Sequence, residues 1–429
     1  MIDINLIRND RKKVKENIKK KFQDEKLPLV DEVYELDILL REKKQEIDKL
    51  RNGRKVLSEE IGNLMKNKEI ELANLRKKSV NEINSRVESL EIEEAELQNK
   101  IKERMLLIPQ IIDESVPIGK DDSENVELEK YGDPVVPAYE IPYHADICEK
   151  LNGLDKESAG RTSGNGFYYL MGDVARLHSA LLSYARDFMI DKGFTYCIPP
   201  FMIRGDVVSG VMSFKEMDAM MYKIENEDLY LIGTSEHSMI GKFKGQLVKE
   251  EELPITLTSY SPCFRKEVGA HGIEERGIYR VHQFEKQEMV VLCKPEDAFT
   301  WYEKMWQYTV EFFRSLDIPV RTLECCSGDL ADLKVKSCDV EAWSPRQKKY
   351  FEVGSCSTLG DAQARRLSIR AKAKEGNYYV ATLNNTVLAS PRGLIALLEN
   401  NYQEDGSVKV PKALQPYMGG LEVIKPKQK

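Results

Sequence analysis

At 429 residues with 41% hydrophobic side chains, the chain is long enough for two or three domains and a sizeable core. No run of about 18 apolar residues occurs, which excludes a hydrophobic membrane helix, and the net charge of −7 excludes a generally basic nucleic-acid-binding chain. The charge is uneven, however: residues 1–110 hold 25 Lys and Arg against 23 Asp and Glu, net +2, leaving −9 for the rest, so a polyanion is more readily met by the N-terminal part.

The opening MIDINLIRND has no apolar signal core, and a cytoplasmic location is expected. From Val33 onward apolar residues recur at heptad spacing. One seam position takes Val33, Leu40, Ile47, Arg54 and Ile61, the other Leu36, Lys43, Leu50, Leu57 and Leu64. The pattern lapses between Met65 and Ala73 and resumes with Val80, Val87, Glu94, Ile101 and Ile108 beside Ile83, Leu90, Leu97 and Arg104, until Pro109 stops it. Two such helices with a short connection predict an antiparallel hairpin of roughly 32 residues per helix, near 50 Å long. Taken alone, the pattern fits a dimerisation coiled coil as well as an arm that reaches for a ligand. Residues 111–142, with Pro117, Gly119, Pro134, Pro137, Pro142 and the acidic run DDSENVE, read as a linker. From 143 to 429 heptads vanish and aromatic, β-branched and glycine residues rise, as expected of a globular α+β domain.

Cofactor motifs are sparse in this domain. There is no GxxxxGK[ST] and no GxGxxG after a strand. The cysteines (Cys148, Cys197, Cys263, Cys293, Cys325, Cys326, Cys338 and Cys356) form no CxxC pair and no ligand pattern with the five histidines. Reduced, mostly buried thiols and no zinc are expected. What stands out is Ser261–Val290, SPCFRKEVGAHGIEERGIYRVHQFEKQEMV: two alternating runs around a glycine- and charge-rich loop, hence a hairpin. One face would present Arg265, Glu267, Arg280, Phe284 and Glu288. Two arginines can grip a polyphosphate, and a phenyl ring offers a purine a stacking platform. On charge alone, a salt-bridged surface hairpin is the favoured reading.

FRKE, the loop and RGIYRVHQFEKQE resemble motif 2 of the class II aminoacyl-tRNA synthetases in its seryl form. Gly193–Met202 (GFTYCIPPFM), with Pro200, is similar to motif 1; Gly233–Met239 (GTSEHSM) to the seryl TxE loop; and Thr382–Asn400 (TLNNTVLASPRGLIALLEN), with Arg392, to motif 3. The heptad arm, SVPIGKDDSENVE and VPKALQPYMGG also look seryl, so the resemblance spans nearly the whole chain.

The resemblance implies an N-terminal tRNA-binding coiled-coil arm (1–110), a linker (111–142) and a class II catalytic domain (143–429) with a mainly antiparallel sheet flanked by helices. It implies a serine-tRNA ligase, dimerised through motif 1, that uses ATP and Mg²⁺ to load L-serine onto tRNA(Ser), and it admits tRNA(Sec). Arg265 and Arg392 would be catalytic. ATP would meet Arg265, Lys266, Glu267, Arg280, Val281, Phe284, Glu352, Val353, Gly354, Ser355 and Arg392, with Glu352 and Ser355 at the metal. Serine would meet Thr234, Ser235, Glu236, Arg265, Glu288, Asn384 and Thr386. Lys43, Lys44, Arg51, Arg54, Lys55, Arg76, Lys77 and Lys78 would meet tRNA. Ser327, Thr358 and Ala362 depart from the family pattern, at positions to which no role is assigned. A non-catalytic tRNA-binding relative would lack the arginine and glutamate set, and a carrier-protein aminoacylating relative would lack the arm.

Overall fold

The computed structural model describes residues 1–267 and 277–426, and the chain divides into two compact units, Ile2–Pro109 and Gln110–Lys429 together with Met1.

The first unit is helical. Two short helices, α1 (Ile4–Asn9) and α2 (Arg11–Lys20), precede the long α3 (Leu27–Lys66) and α4 (Ile70–Leu107). Asp3 and Asp10 cap the short helices, accepting hydrogen bonds from Asn5 N and Lys13 N. The long helices are antiparallel: Glu32 meets Arg104, Lys43 meets Glu93, Arg51 meets Glu91 and Glu60 meets Arg76, so numbers rise on one helix as they fall on the other. Val33, Leu40, Ile47, Val87, Leu90 and Ile101 are buried along the seam. Arg54, at a seam position, is exposed and donates to Asn84 Oδ1 at 3.2 Å. At 40 and 38 residues the helices exceed the 32 expected from the heptads. Helix α3 starts six residues before Val33, with Pro28 in its first turn, because proline needs no intrahelical donor partner there.

The second unit is built on an eight-stranded sheet. Its strands are β1 (Val126–Tyr131), β2 (Thr195–Tyr196), β3 (Ile255–Phe264), β4 (Gln283–Cys293), β5 (Val320–Glu324), β6 (Lys336–Ser344), β7 (Lys349–Thr358) and β8 (Ala381–Ala389), in the order β1-β5-β6-β7-β8-β4-β3-β2. All neighbours are antiparallel except β2 and β3. The main core packs helices Gly172–Asp191, Ala298–Ser315 and Ser390–Asn401 against it, with Phe312 and Phe313 fully buried. The run Met289–Cys293 is buried at every residue, as a central strand covered on both faces must be.

Two expectations change. The segment 111–142, expected as a linker, contains β1, which pairs with β5 from Val126↔Glu324 to Tyr131↔Val320. It is an edge strand with nearly all side chains exposed, and its brief alternation of Val126 and Leu128 with Glu127 and Glu129 lies among prolines and acidic residues that read as a linker. Within Ser261–Val290 the hairpin strands pair from Phe264↔Gln283, so Arg280 and His282 precede the strand instead of alternating along it; the connecting loop 268–276 lies outside the described residues. Among the described residues no helix is long and apolar enough to cross a membrane, and all eight cysteines are free thiols, seven of them buried.

Leu90 is fully buried between Ile47, Val87, Leu50 and Ile83 in a seam with little other core. Leu90→Ala should destabilise the arm by about 2–5 kcal/mol, checked by helical circular dichroism in denaturant.

Candidate active site

On the face formed by β3, β4, β7 and β8, two cavities adjoin. The first, of about 240 Å³, is lined by Arg265, Glu267, Tyr279, Arg280, Val281, Phe284, Lys286, Glu352, Val353, Gly354, Thr386, Ala389, Pro391 and Arg392. The second, of about 270 Å³, includes Glu216, Thr234, Glu236, His237, Lys334, Ser355 and Asn384 in its wall. Arg265, Lys286, Glu352 and Thr386 line both. They form the partition between two chambers of similar volume, one lined by arginines and aromatic rings and the other by acidic and polar side chains.

Backbone geometry sets each charge. Arg265 follows β3 and is held on both sides. Its N–H donates to the His282 carbonyl at 2.9 Å, its own carbonyl lies 3.0 Å from His282 Nδ1, and its Nε donates to the Gly233 carbonyl at 3.2 Å. The guanidinium lies 5.3 Å from the centre of the Phe284 ring. Glu267 sits in left-handed backbone, φ 45°, and its carboxylate pairs with Arg280 at 3.3 Å. Arg392 enters from the first turn of the Ser390–Asn401 helix, pairs with Glu352 Oε2 at 2.6 Å and lies 4.7 Å from the Tyr279 ring. Gly354 is needed where β7 passes β8: a Cβ there would come within 2.8 Å of the Thr386 carbonyl.

On β4, Phe284, Lys286 and Glu288 share one face, as a period of two requires. Lys286 Nζ pairs with Glu288 at 2.5 Å, and Thr234 donates to the same carboxylate at 3.2 Å. Thr234 also caps the helix Ser235–Gly241, its hydroxyl accepting from Glu236 N at 3.3 Å. That cap turns Glu236 toward the second cavity, where Gln363 Nε2 donates to its carboxylate at 2.9 Å.

Protonation follows from burial and neighbours. Burial, then the Glu288 charge, pushes Glu236 up to about 7 against the Gln363 hydrogen bond. Burial, with Arg265 and Lys286 facing it, drops His237 to about 3, so it stays neutral. Burial opposes ionisation of Glu352, but Arg392, Lys334 and Arg265 hold it below the usual carboxylate range. Burial works against the Lys334 ammonium, yet Cys325, Asp339, Glu216 and Glu352 keep it above its ordinary value. Among the described residues, ligand atoms of Cys325, Asp339 and Asp329 come within 4.8 Å of one another.

Of the residues expected at ATP, nine line the first cavity: Arg265, Glu267, Arg280, Val281, Phe284, Glu352, Val353, Gly354 and Arg392. Ser355 lines the second instead. Lys266 lines neither; next to an inward Arg265 it turns away, and its Nζ donates to the Asp218 carbonyl at 3.3 Å. Of those expected at serine, Thr234, Glu236, Arg265, Asn384 and Thr386 line the second cavity. Ser235 is buried in the first turn behind Thr234, and Glu288 is buried beneath Lys286 as the layer that orients it. Lys286, Lys334 and Tyr279 were not singled out in the sequence. Lys286 was detectable, since it alternates with Phe284 and Glu288; Lys334 lies in a turn between strands with no periodic signal.

Comparisons with known proteins agree on one family. Residues 1–112 match the family model of the seryl-tRNA synthetase N-terminal domain, and residues 220–401 that of the tRNA synthetase class II core domain (G, H, P, S and T). The chain is 39% identical over 427 residues to the serine–tRNA ligase of Methanospirillum hungatei, covering 99% of this chain and 100% of the relative. It is 42% identical over 446 aligned positions to that of Thermococcus sibiricus, covering 99% and 98%. Its fold superposes on the crystal structure of seryl-tRNA synthetase from Pyrococcus horikoshii complexed with ATP, with TM-score 0.94, 39% identity and full coverage of both chains. On the cytoplasmic serine–tRNA ligase of Naegleria fowleri in complex with AMP the TM-score is 0.88, with 33% identity and coverage of 100% and 99%.

The raised Glu236 carboxyl makes a thermodynamic prediction. Below its unfolded value of 4.5 both states are protonated and the group is neutral to stability. As pH rises from 4.5 through about 7 the unfolded chain has released a proton that the folded chain retains, so stability falls. Denaturation midpoints at pH 5, 6.5 and 8 should decline in the native protein, and Glu236→Gln should flatten that decline.

Proposed function

The chain belongs to the seryl-tRNA synthetases, a class II aminoacyl-tRNA synthetase family, and from that membership we propose that it activates L-serine with ATP and transfers it to the 3′ end of tRNA(Ser), with tRNA(Sec) as a second acceptor. The observation that carries the proposal is the pair of adjoining cavities that share Arg265, Lys286, Glu352 and Thr386. One is lined by arginines and aromatic rings, as a nucleoside triphosphate requires. The other is polar, with Glu216 and Glu236 in its wall, as an amino acid with an ammonium and a hydroxyl requires.

In activation the serine carboxylate attacks the α-phosphorus in line and pyrophosphate leaves. Positioning and charge neutralisation dominate such a step, and no nucleophilic residue is needed. Arg265, at the partition, would hold the serine carboxylate and the α-phosphate together. Arg392 would neutralise the γ-phosphate. Phe284 would stack on adenine, with Glu267 and Arg280 at its edge and Val281, Val353 and Gly354 completing the wall. Glu236 would take the serine ammonium, with Thr234, Asn384 and Thr386 around the side chain and Ser235 and Glu288 behind them. Magnesium, when bound with ATP, would neutralise phosphate charge. Glu352, held ionised by Arg392, and the Ser355 hydroxyl offer the hard oxygen donors that ion takes. We place the protein in the cytoplasm as a homodimer joined through Gly193–Met202, where Ile198 is 71% exposed.

The arm would grip tRNA through Lys43, Lys44, Arg51, Arg54, Lys55, Arg76, Lys77 and Lys78. Lys43, Lys44, Arg51 and Arg76 each face a glutamate of the opposite helix, so RNA phosphates would compete with those carboxylates.

Pyrophosphate exchange should depend on serine, with alanine weaker by about 10⁴-fold, because a site built around a hydroxyl loses its partner when the hydroxyl is missing. Exchange supported equally by proline or threonine would reassign the enzyme within its class. Arg265→Ala should lower exchange by at least about 10²-fold. It is a cleaner test than Arg392→Ala, which also strands Glu352.

Deleting Leu36–Met105 should leave exchange near normal and abolish tRNA charging. Replacing Arg54, Arg76 and Lys77 with alanine should raise the KM for tRNA without moving those for serine and ATP. A truncated protein that charges tRNA at the full rate would refute the assignment of the arm.

A further inference from the structure

The positive charge of the N-terminal unit is not where the heptads are. Residues 27–110, which hold both long helices, carry 16 Lys and Arg against 18 Asp and Glu, net −2. Residues 8–26, which hold α2 and its flanks, carry nine cations (Arg8, Arg11, Lys12, Lys13, Lys15, Lys19, Lys20, Lys21 and Lys26) against four acids, net +5.

Helix α2 sorts these charges by face. Val14, Asn17 and Ile18 are buried at the i, i+3, i+4 spacing that packs it on α3. Its flanks are pinned: Lys15 pairs with Asp31 at 2.6 Å, and Arg11 reaches the same carboxylate at 3.6 Å. The outward face holds Lys12, Lys13, Lys19 and Lys20 with a single acid, Glu16, which meets Lys12 at 3.7 Å. Among the described residues Lys13, Lys19 and Lys20 are exposed and enter no ion pair. Lys19 and Lys20, in the last turn, have a structural reason to be basic, since the helix dipole favours cations there. Lys12 and Lys13 do not: they stand in the first turn, where the dipole disfavours them, and although Asp10 caps the helix and Glu16 reaches Lys12, no acid stands within that turn. Four like charges on three turns repel one another and gain little from the fold, which is the arrangement of a surface that meets a polyanion.

We propose that the outward lysine face of α2 is a second RNA-backbone contact, separate from the cations of the arm and insensitive to base sequence. The proposal rests on the reading of this chain as a tRNA-charging enzyme, which is also why RNA is favoured over other polyanions. The α2 face packs beside Asp31, whereas Arg54 lies 23 residues further along α3, roughly 35 Å at 1.5 Å per residue. That distance exceeds the Debye length of about 8 Å at physiological salt, so the two patches act as separate contacts. Unlike four of the arm's cations, the free lysines of α2 need not abandon a carboxylate before meeting a phosphate.

The test is the full-length Lys13→Ala/Lys19→Ala/Lys20→Ala variant, with the Arg54/Arg76/Lys77 variant beside it. Binding of a transcribed serine-acceptor tRNA and of a non-cognate tRNA is measured from 0.05 to 0.3 M salt. If each lysine meets one phosphate, the log–log salt slope should become shallower by roughly two to three. Both tRNAs should lose affinity alike, at least about tenfold at the lowest salt, while serine-dependent pyrophosphate exchange stays unchanged. Unchanged affinity and slope in the α2 variant, with the arm variant weakened, would overturn this proposal and leave the arm's role intact. No effect in either variant would overturn both. Loss of binding to phosphatidylserine vesicles without loss of tRNA binding would also overturn it, assigning the face to a lipid surface.

Discussion

The site depends on charges that are partly or wholly buried and must be paired before any ligand arrives. Arg392 at 2.6 Å is the main charge holding Glu352 below the usual carboxylate range, with Lys334 and Arg265 behind it, and the buried Glu288 is paired with Lys286 at 2.5 Å. Each pair joins neighbouring parts of one sheet face: Lys286 and Glu288 along β4, Glu352 on β7, and Arg392 on the helix that leaves β8. Removing one member of such a pair costs far more than the pair contributes, because the other charge is left buried alone. The sheet therefore has to hold its register before the chemistry can exist, and the wholly buried run Met289–Cys293 anchors it.

That coupling explains the division of labour in the chain. The catalytic unit has a large core and can support charges in its interior. The helical unit has a thin seam, and along its long helices Lys43, Lys44, Arg51 and Arg76 face glutamates on the opposite helix. Surface pairs of this kind contribute little to stability. They leave the arm's charges available for exchange with another anion, whereas the charges lining the two cavities are held in place by the fold.

Much of this was legible in the residues. Heptads at Val33–Leu64 and Val80–Ile108 marked the helical hairpin, since a seam one residue wide must repeat at 3.5 whatever surrounds it. The hairpin about 268–276 and the inward Arg265, Phe284 and Glu288 followed from alternation, and Pro109 marked the end of the arm. Where the local signal was short, expectation failed. Strand β1 alternates for only four residues and is exposed on an edge among prolines and acids, so it resembled a linker. Helix α3 begins before its first seam residue, and Lys266 was carried along with its neighbours although it points away from them.

The sequence by itself determined which segments are amphipathic, where they break, and which residue types could neutralise phosphate or accept an ammonium; these are local properties of the chain. Only the tertiary structure decided which charges meet. It placed Arg392 on Glu352 across 40 residues and Lys334 beside Glu352 and Asp339, put Glu288 behind Lys286 instead of in the cavity wall, and moved Ser355 from the first cavity to the second. Those pairings are set by strand order and register, which arise from long-range packing, and no local pattern encodes them.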